Sequence, residues 1–174
     1  MMVRMVAKPT RIRDYKEVDA PAIARLFYET VRSVNRTDYY EEQVRAWAPA
    51  IPDPREWHDR MTGCKTLVAE EGSEVVGFCE LEEDGHLDMF YLRKDVVGRG
   101  IGRLLYEATE QAARGWDLGR IFTEASVTAR PFFERQGFRV LGERRVLRLG
   151  VELTNFAMEK ILRPTNGEGE QGMR

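Results

Sequence analysis

Residues 89–105 read MFYLRKDVVGRGIGRLL, and the period of the chain changes inside this stretch. Met89 to Leu92 continue a strand-like run, HLDMFYL (86–92). After the glycines, Ile101, Leu104, Leu105, Ala108 and Ala112 recur at i, i+3, i+4, i+7 and i+11, which is one face of a helix. Gly98, Gly100 and Gly102 therefore sit at a helix N-terminus. The first amides of a helix have no partner within it, and glycine carries no side chain to hold a ligand away, so such a turn suits a phosphate group. Two nucleotide-binding alternatives fail on spacing. A Walker A loop needs Lys-Ser or Lys-Thr after its last glycine, and none of these glycines is so followed. A dinucleotide fingerprint needs G-x-G-x-x-G in the first turn of a parallel unit; here the third glycine comes one residue early and the preceding strands are joined by tight turns.

Upstream, TLVAEE (66–71) and EVVGFCELEE (74–83) read as strands joined at Glu71-Gly72-Ser73, and a turn at Asp84-Gly85 leads into HLDMFYL. This is an antiparallel meander. Before it, TRIRD (10–14) is a first strand. A helix follows, with Asp19 as N-cap, Pro21 in its first turn and Ile23, Leu26, Phe27 and Val31 at helical spacing. A second, shorter helix is expected from Thr37 or Asp38 through Val44 and Trp47 until Pro49, and residues 51–60 read as a turn with another short helix. Downstream come a strand at 120–125, a short helix at 129–135 stopped by Gly137, and strands at 138–146 and 151–161. The order β-α-α-β-β-β-α-β-α-β-β predicts an α/β (α+β) fold, a mixed sheet with helices on its faces. Residues 1–163 read as a single domain and the polar, Gly-rich stretch 164–174 as a disordered tail.

The chain has 174 residues, with 27 Lys+Arg against 29 Asp+Glu, a net charge of −2 that offers nucleic acid or an anionic membrane no global attraction. A chain of this length buries about 70% of the surface it exposes when unfolded, so its core needs no disulfide or metal. Cys64 and Cys79 form no paired motif, which suits a reduced, cytoplasmic protein. Residues 1–10, with Arg4, Lys8 and Pro9, build no apolar run, so no signal peptide is expected, and no run of about 20 apolar residues follows. His58, His86 and the cysteines lack metal-ligand spacing, so no metal is expected. Glu143 interrupts the late cluster Arg139, Arg144, Arg145 and Arg148, which reads as a solvated strand.

Residues 89–105 resemble the acetyl-CoA signature of the GCN5-related N-acetyltransferase (GNAT) family. ASVTARPFFERQGF (125–138) is similar to that family's later segment, a strand followed by a helix ending in an aromatic pair and Gly-Phe. The resemblance runs from about Arg11 to Lys160. Asn35, Asp38-Tyr39, Gln43 and Ala46-Trp47-Ala48-Pro49, with Gly150-Val151 and Thr154-Asn155-Phe156, look most like its bacterial YafP-type branch. The resemblance implies that the backbone from Gly98 through Arg99, Gly100, Ile101 and Gly102 to Arg103 holds the CoA pyrophosphate. It implies that the main chain of Tyr91 and Leu92 pairs with the pantetheine arm and supplies an oxyanion donor. Ser126 stands where the family often has Asn to bond the pantetheine. Arg99, Arg103 and Arg130 are candidates for CoA phosphates. Two positions depart from the family: Val97, where Gln or Arg is usual, and Phe133, where many members carry a tyrosine that protonates the leaving thiolate. A thiol with a pKa of ~8.5 leaves without that acid, and Tyr39 or Tyr40 could replace it. The family is often dimeric, so a homodimer is a further expectation.

An alkylamine acceptor with a pKa of ~10.4 must lose a proton before it attacks. Glu80 and Asp88 are the candidate bases. Period-2 alternation puts Asp88 with Phe90 on one face and Met89 with Tyr91 on the other, unless the bulge implied by the resemblance intervenes. In this family the acceptor wall comes from the region joining the first two helices, here Asp38, Tyr39, Gln43 and Trp47, where carboxylate and aromatic faces would suit a cation. Tyr40, Val44 and Trp47 equally describe a buried helical face. The implied activity is transfer of an acetyl group from acetyl-CoA to an amine. A CoA-binding sensor without catalysis is the alternative that Phe133 and Val97 raise.

Overall fold

The computed structural model describes residues 8–162; the tail expected at 164–174 lies outside them. Seven strands and five helices follow in chain order, one helix more than the predicted order because the short helix read at 51–60 forms as α3: β1 (Thr10–Asp14), α1 (Ala20–Ser33), α2 (Glu41–Trp47), α3 (Pro54–Thr62), β2 (Lys65–Glu71), β3 (Glu74–Leu81), β4 (Leu87–Leu92), α4 (Ile101–Gly115), β5 (Arg120–Ser126), α5 (Arg130–Arg135), β6 (Arg139–Arg148) and β7 (Val151–Ile161). No helix among them is long and apolar enough to cross a membrane.

The mixed α/β class holds, but the strands form two antiparallel sheets, ordered β1-β2-β3-β4 and β5-β7-β6. The single mixed sheet expected from the sequence is not formed: β4 and β5 are joined by one parallel bridge, His86 with Phe122. It is fastened by Phe122 N donating to Gly85 O (3.0 Å) and Thr123 Oγ1 donating to Leu87 O (2.7 Å). Beyond Leu87 the two strands diverge, and β4 keeps one unpaired edge.

Alternation along β2 and β3 divides the core. Leu67 and Cys79 join Leu105 and Tyr106 of α4, Ile121 of β5 and Phe133 of α5 on one side. Val68 and Phe78 join Ile23, Phe27 and Val31 of α1, Val44 of α2 and Met61 of α3 on the other. Emptying a fully buried site such as Phe78 costs about 3–5 kcal/mol. The second helix starts later than its sequence suggests. Residues 35–37 form a single 3-10 turn, and Tyr40 is the α2 N-cap, with its N–H donating to Gln43 Oε1 (2.9 Å). Asp38 thus closes the 3-10 turn, its N–H donating to Asn35 O (3.0 Å), and does not start α2.

Candidate active site

The turn before α4 has the chemistry its glycines promise. The first helical bond runs from Leu104 N to Gly100 O, so the amides of Gly100, Ile101, Gly102 and Arg103 have no backbone acceptor among the described residues. They open onto a cleft of about 1000 Å³ bordered by Val97, Gly98, Gly100, Gly102 and Arg103. Two side chains of this turn do not take part. Arg99 turns away to Glu71, with Nη2 at 2.6 Å from its carboxylate, and Ile101 is buried beside Ala69, Val76 and Val96. Arg130 likewise stays outside the cleft, paired with Glu134 at 2.9 Å and stacked over Phe156 at 4.5 Å.

The cleft follows the open edge of β4. Arg93 N donates to Val76 O, and alternation along the antiparallel ladder makes Phe78 and Tyr91 the next hydrogen-bonded pair. The peptide groups of Phe90 and Leu92 therefore face the open edge, with Leu92 O taken by Thr30 Oγ1 at 2.8 Å. Tyr91 contributes its side chain instead, stacked on Phe78 and set edge-on to Phe27, with its hydroxyl near Trp47. Burial pushes that hydroxyl's pKa up. A second cavity of about 410 Å³ opens on the α1–α3 side, and the two meet at Trp47, Asp88, Tyr91, Glu124 and Ser126.

Asp88 is at this junction because of a bulge. Met89 pairs with Glu80 and Leu87 with Leu81, which leaves Asp88 unpaired between them. The bulge corrects the simple alternation: Asp88 bonds Arg60 of α3, whose Nε lies 2.8 Å from Glu80, the partner of Met89. Glu80 is 2% exposed and borders neither cavity; its Oε1 has no partner among the described residues. Burial raises its pKa, with Arg60 opposing.

Ser126 Oγ accepts from Ala129 N (3.0 Å) and Asn35 Nδ2 (3.4 Å), which leaves its own hydrogen free to donate. Phe133 borders the larger cleft but is 2% exposed, packed on Phe90, Phe132 and Phe138. Trp47 borders both cavities and meets Tyr39 edge-on. Tyr39 cannot serve as the expected acid: its hydroxyl donates to Thr154 O (2.6 Å) and accepts from Val127 N (2.9 Å). Tyr40 is 83% exposed and borders neither cavity. Asp38 is exposed and Gln43 is spent on Tyr40 N and Glu152 O, so neither forms the acceptor wall. Cys79 is buried, with its thiol pushed up to about 12, which leaves it no thiolate near neutral pH.

Residue-level reading of the sequence missed Glu124, Thr128 and Asn155. Glu124 reaches the junction from β5 and is bonded to His86 Nε2 at 2.6 Å. Burial works against charge on His86, but Glu124, with Asp88 and Glu82, outweighs it and raises its pKa. Thr128 Oγ1 and Asn155 Oδ1 are buried without partners among the described residues, the first bordering the larger cleft and the second the smaller cavity. Period 2 on β5 could have paired Glu124 with Ser126; nothing local marks the other two.

The acetyltransferase (GNAT) domain family matches residues 35–160. A crystal structure of a GCN5-related N-acetyltransferase from Rhodopseudomonas palustris is similar, with 33% identity and a TM-score of 0.84 over 91% of this chain and 99% of that one. The N-acetyltransferase YafP of Escherichia coli (strain K12) is 28% identical over 148 residues, 85% of this chain and 93% of its own. PaiA N-acetyltransferase from Thermoplasma acidophilum, solved in complex with coenzyme A, shares the fold at a TM-score of 0.74 and 18% identity, over 88% of this chain and 99% of that one. The chain belongs to the GNAT family and is an acyltransferase, an N-acetyltransferase with a YafP-like sequence.

Proposed function

We propose that this enzyme binds acetyl-CoA along the open edge of β4 and passes the acetyl group directly to a primary amine held in the smaller cavity. The observation that carries the reading is the meeting of the two cavities at Asp88, Tyr91, Glu124 and Ser126. The residues present fit the donor. Four unpaired amides and the N-terminal end of a 15-residue helix suit its pyrophosphate, and the outward peptide groups of Phe90 and Leu92 suit an extended pantetheine. Ser126 supplies a free hydroxyl hydrogen beside it. Arg103, Arg114, Arg135 and Lys160 border the same cleft, Arg103 paired with Glu107 and Arg114 and Lys160 with Glu110 of the same wall.

In the reaction the amine nitrogen attacks the thioester carbonyl, whose oxygen gathers charge near the Leu92 amide, and the C–S bond breaks as the N–C bond forms. Before the attack the ammonium gives one proton to Asp88 or Glu124; the second, lost from nitrogen as the amide forms, passes to water, and the thiolate leaves without an acid at position 133. Phe133 has a packing role there, so a missing tyrosine is no argument for a non-catalytic sensor. Glu80 supports Arg60 from below and acts through it. A homodimer completes the reading, checked by sedimentation velocity.

Titration calorimetry with acetyl-CoA, free CoA and NADH tests the donor site. Micromolar binding of the CoA species with none for NADH supports it, and thiol release over an amine panel then separates an enzyme from a sensor. Absence of acetyl-CoA binding would overturn the proposal.

A further inference from the structure

The smaller cavity has a different charge pattern at each end. At the inner end, where it meets the donor cleft, are two carboxylates, Asp88, paired with Arg60 of the same wall, and Glu124, bonded to His86. Asn155 lies at the same level, paired across the ladder with Ser126, and its buried Oδ1 has no partner among the described residues. An orphaned buried acceptor costs about 1–3 kcal/mol, which a ligand N–H would recover. At the other end stands Arg148. Arg139 is paired with Glu159, Arg144 lies near Glu124, and Arg145 near Glu152, but Arg148 has no ion pair or hydrogen bond among the described residues. It nevertheless borders the cavity, and Phe27, Met89, Val146 and Leu153 make an apolar wall between the two ends.

The register sets the length of this arrangement. On the β6–β7 ladder Asn155 pairs with Arg144 and Val151 with Arg148, so the two ends lie four residues apart along β6. That is about 13 Å of strand, shortened by the reach of the arginine side chain.

We propose that the acceptor is a small zwitterion with a primary amine at one end, an anionic group such as a carboxylate at the other, and an apolar spacer between them. Its ammonium is drawn to the Asp88, Glu124 and Asn155 end, beside the thioester, and its anion to Arg148 at the mouth. An α-amino acid is too short to span both ends. This inference rests on the proposed amine transfer.

The test compares ω-amino acids, from 3-aminopropanoate to 6-aminohexanoate, with alkylamines of matched length, reading thiol release and the mass of the product. The longer ω-amino acids are expected to exceed their matched amines at least tenfold in kcat/KM, chiefly through KM. In Arg148→Ala that ratio falls to about one, and Arg148→Lys keeps part of it. Asn155→Ala lowers kcat/KM for both classes and leaves the ratio alone. Equal use of acids and plain amines by the unaltered enzyme, or a preference that survives Arg148→Ala, overturns the zwitterion while leaving amine acetylation standing. Binding of acetyl-CoA with turnover of neither class overturns the amine reading and this inference together.

Discussion

Gly100 and Gly102 are small for different reasons. Gly100 caps α4 at φ +85°, and a Cβ there would meet nothing within 4 Å; Gly102 has a helical backbone, but its Cβ would stand 3.0 Å from Leu92 Cδ1 and 3.2 Å from Phe132 Cε2. Gly100→Ala therefore costs about 1–2 kcal/mol of stability through its left-handed backbone, measured by urea unfolding. Gly100→Asp places a carboxylate against the unpaired amides and should abolish the calorimetric heat of acetyl-CoA. Glu80 gives a pH-dependent prediction. Its folded pKa is raised, so the native state holds that proton more tightly than the unfolded chain, and its contribution to stability falls as pH rises from the ordinary carboxylate range through the raised value. A glutamine in its place cannot titrate. The difference in stability between the Glu80→Gln variant and the unaltered protein should shift in favour of the variant as pH climbs through that window, and a difference flat with pH would remove burial as the dominant influence. At Phe133, Phe133→Tyr should change kcat at pH 8 by less than about threefold, because the thiol leaves unaided.

At the scale of elements, Tyr39 shows how a residue legible as polar becomes structural. It lies between the turn at 35–37 and α2, and its hydroxyl ties that connection to β7 at Thr154 and to the end of β5 at Val127. Tyr39→Phe strands both partners, so denaturant unfolding should show a loss of about 1–3 kcal/mol while acetyl-CoA affinity stays within about twofold. The helices and strands themselves were readable because their periods of 3.6 and 2 are strong, as in Ile101 to Ala112 and 66–71. The start of α2 was not. Thr37 and Asp38 are good capping types, yet Tyr40 with Gln43 supplies the cap, because Gln43 is also held by Glu152 O across the fold. The same limit applies to Asp88: alternation assigns its face, and a bulge that depends on pairing with β3 reverses the assignment.

For the whole molecule, the donor cleft lies where the two sheets part, bordered by β4, α4, β5 and α5. Acetyl-CoA should therefore stabilise the protein as one unit, by about 2.7 kcal/mol at a hundredfold excess over Kd, seen as a single displaced thermal transition. NADH at the same concentration should leave the transition in place. The sequence alone determined the order of the elements, the glycine turn at the start of α4, the family and the departure at Phe133, since each of these is written in residues near one another. Only the tertiary structure decided the split of the sheet, the burial of Glu80, the loss of Asp38 and Gln43 from the site, the engagement of the Tyr39 hydroxyl by backbone at the smaller cavity, and the appearance there of Glu124 and Asn155. These depend on which strand edges meet across many residues of chain, and register between distant strands leaves no local periodic signal.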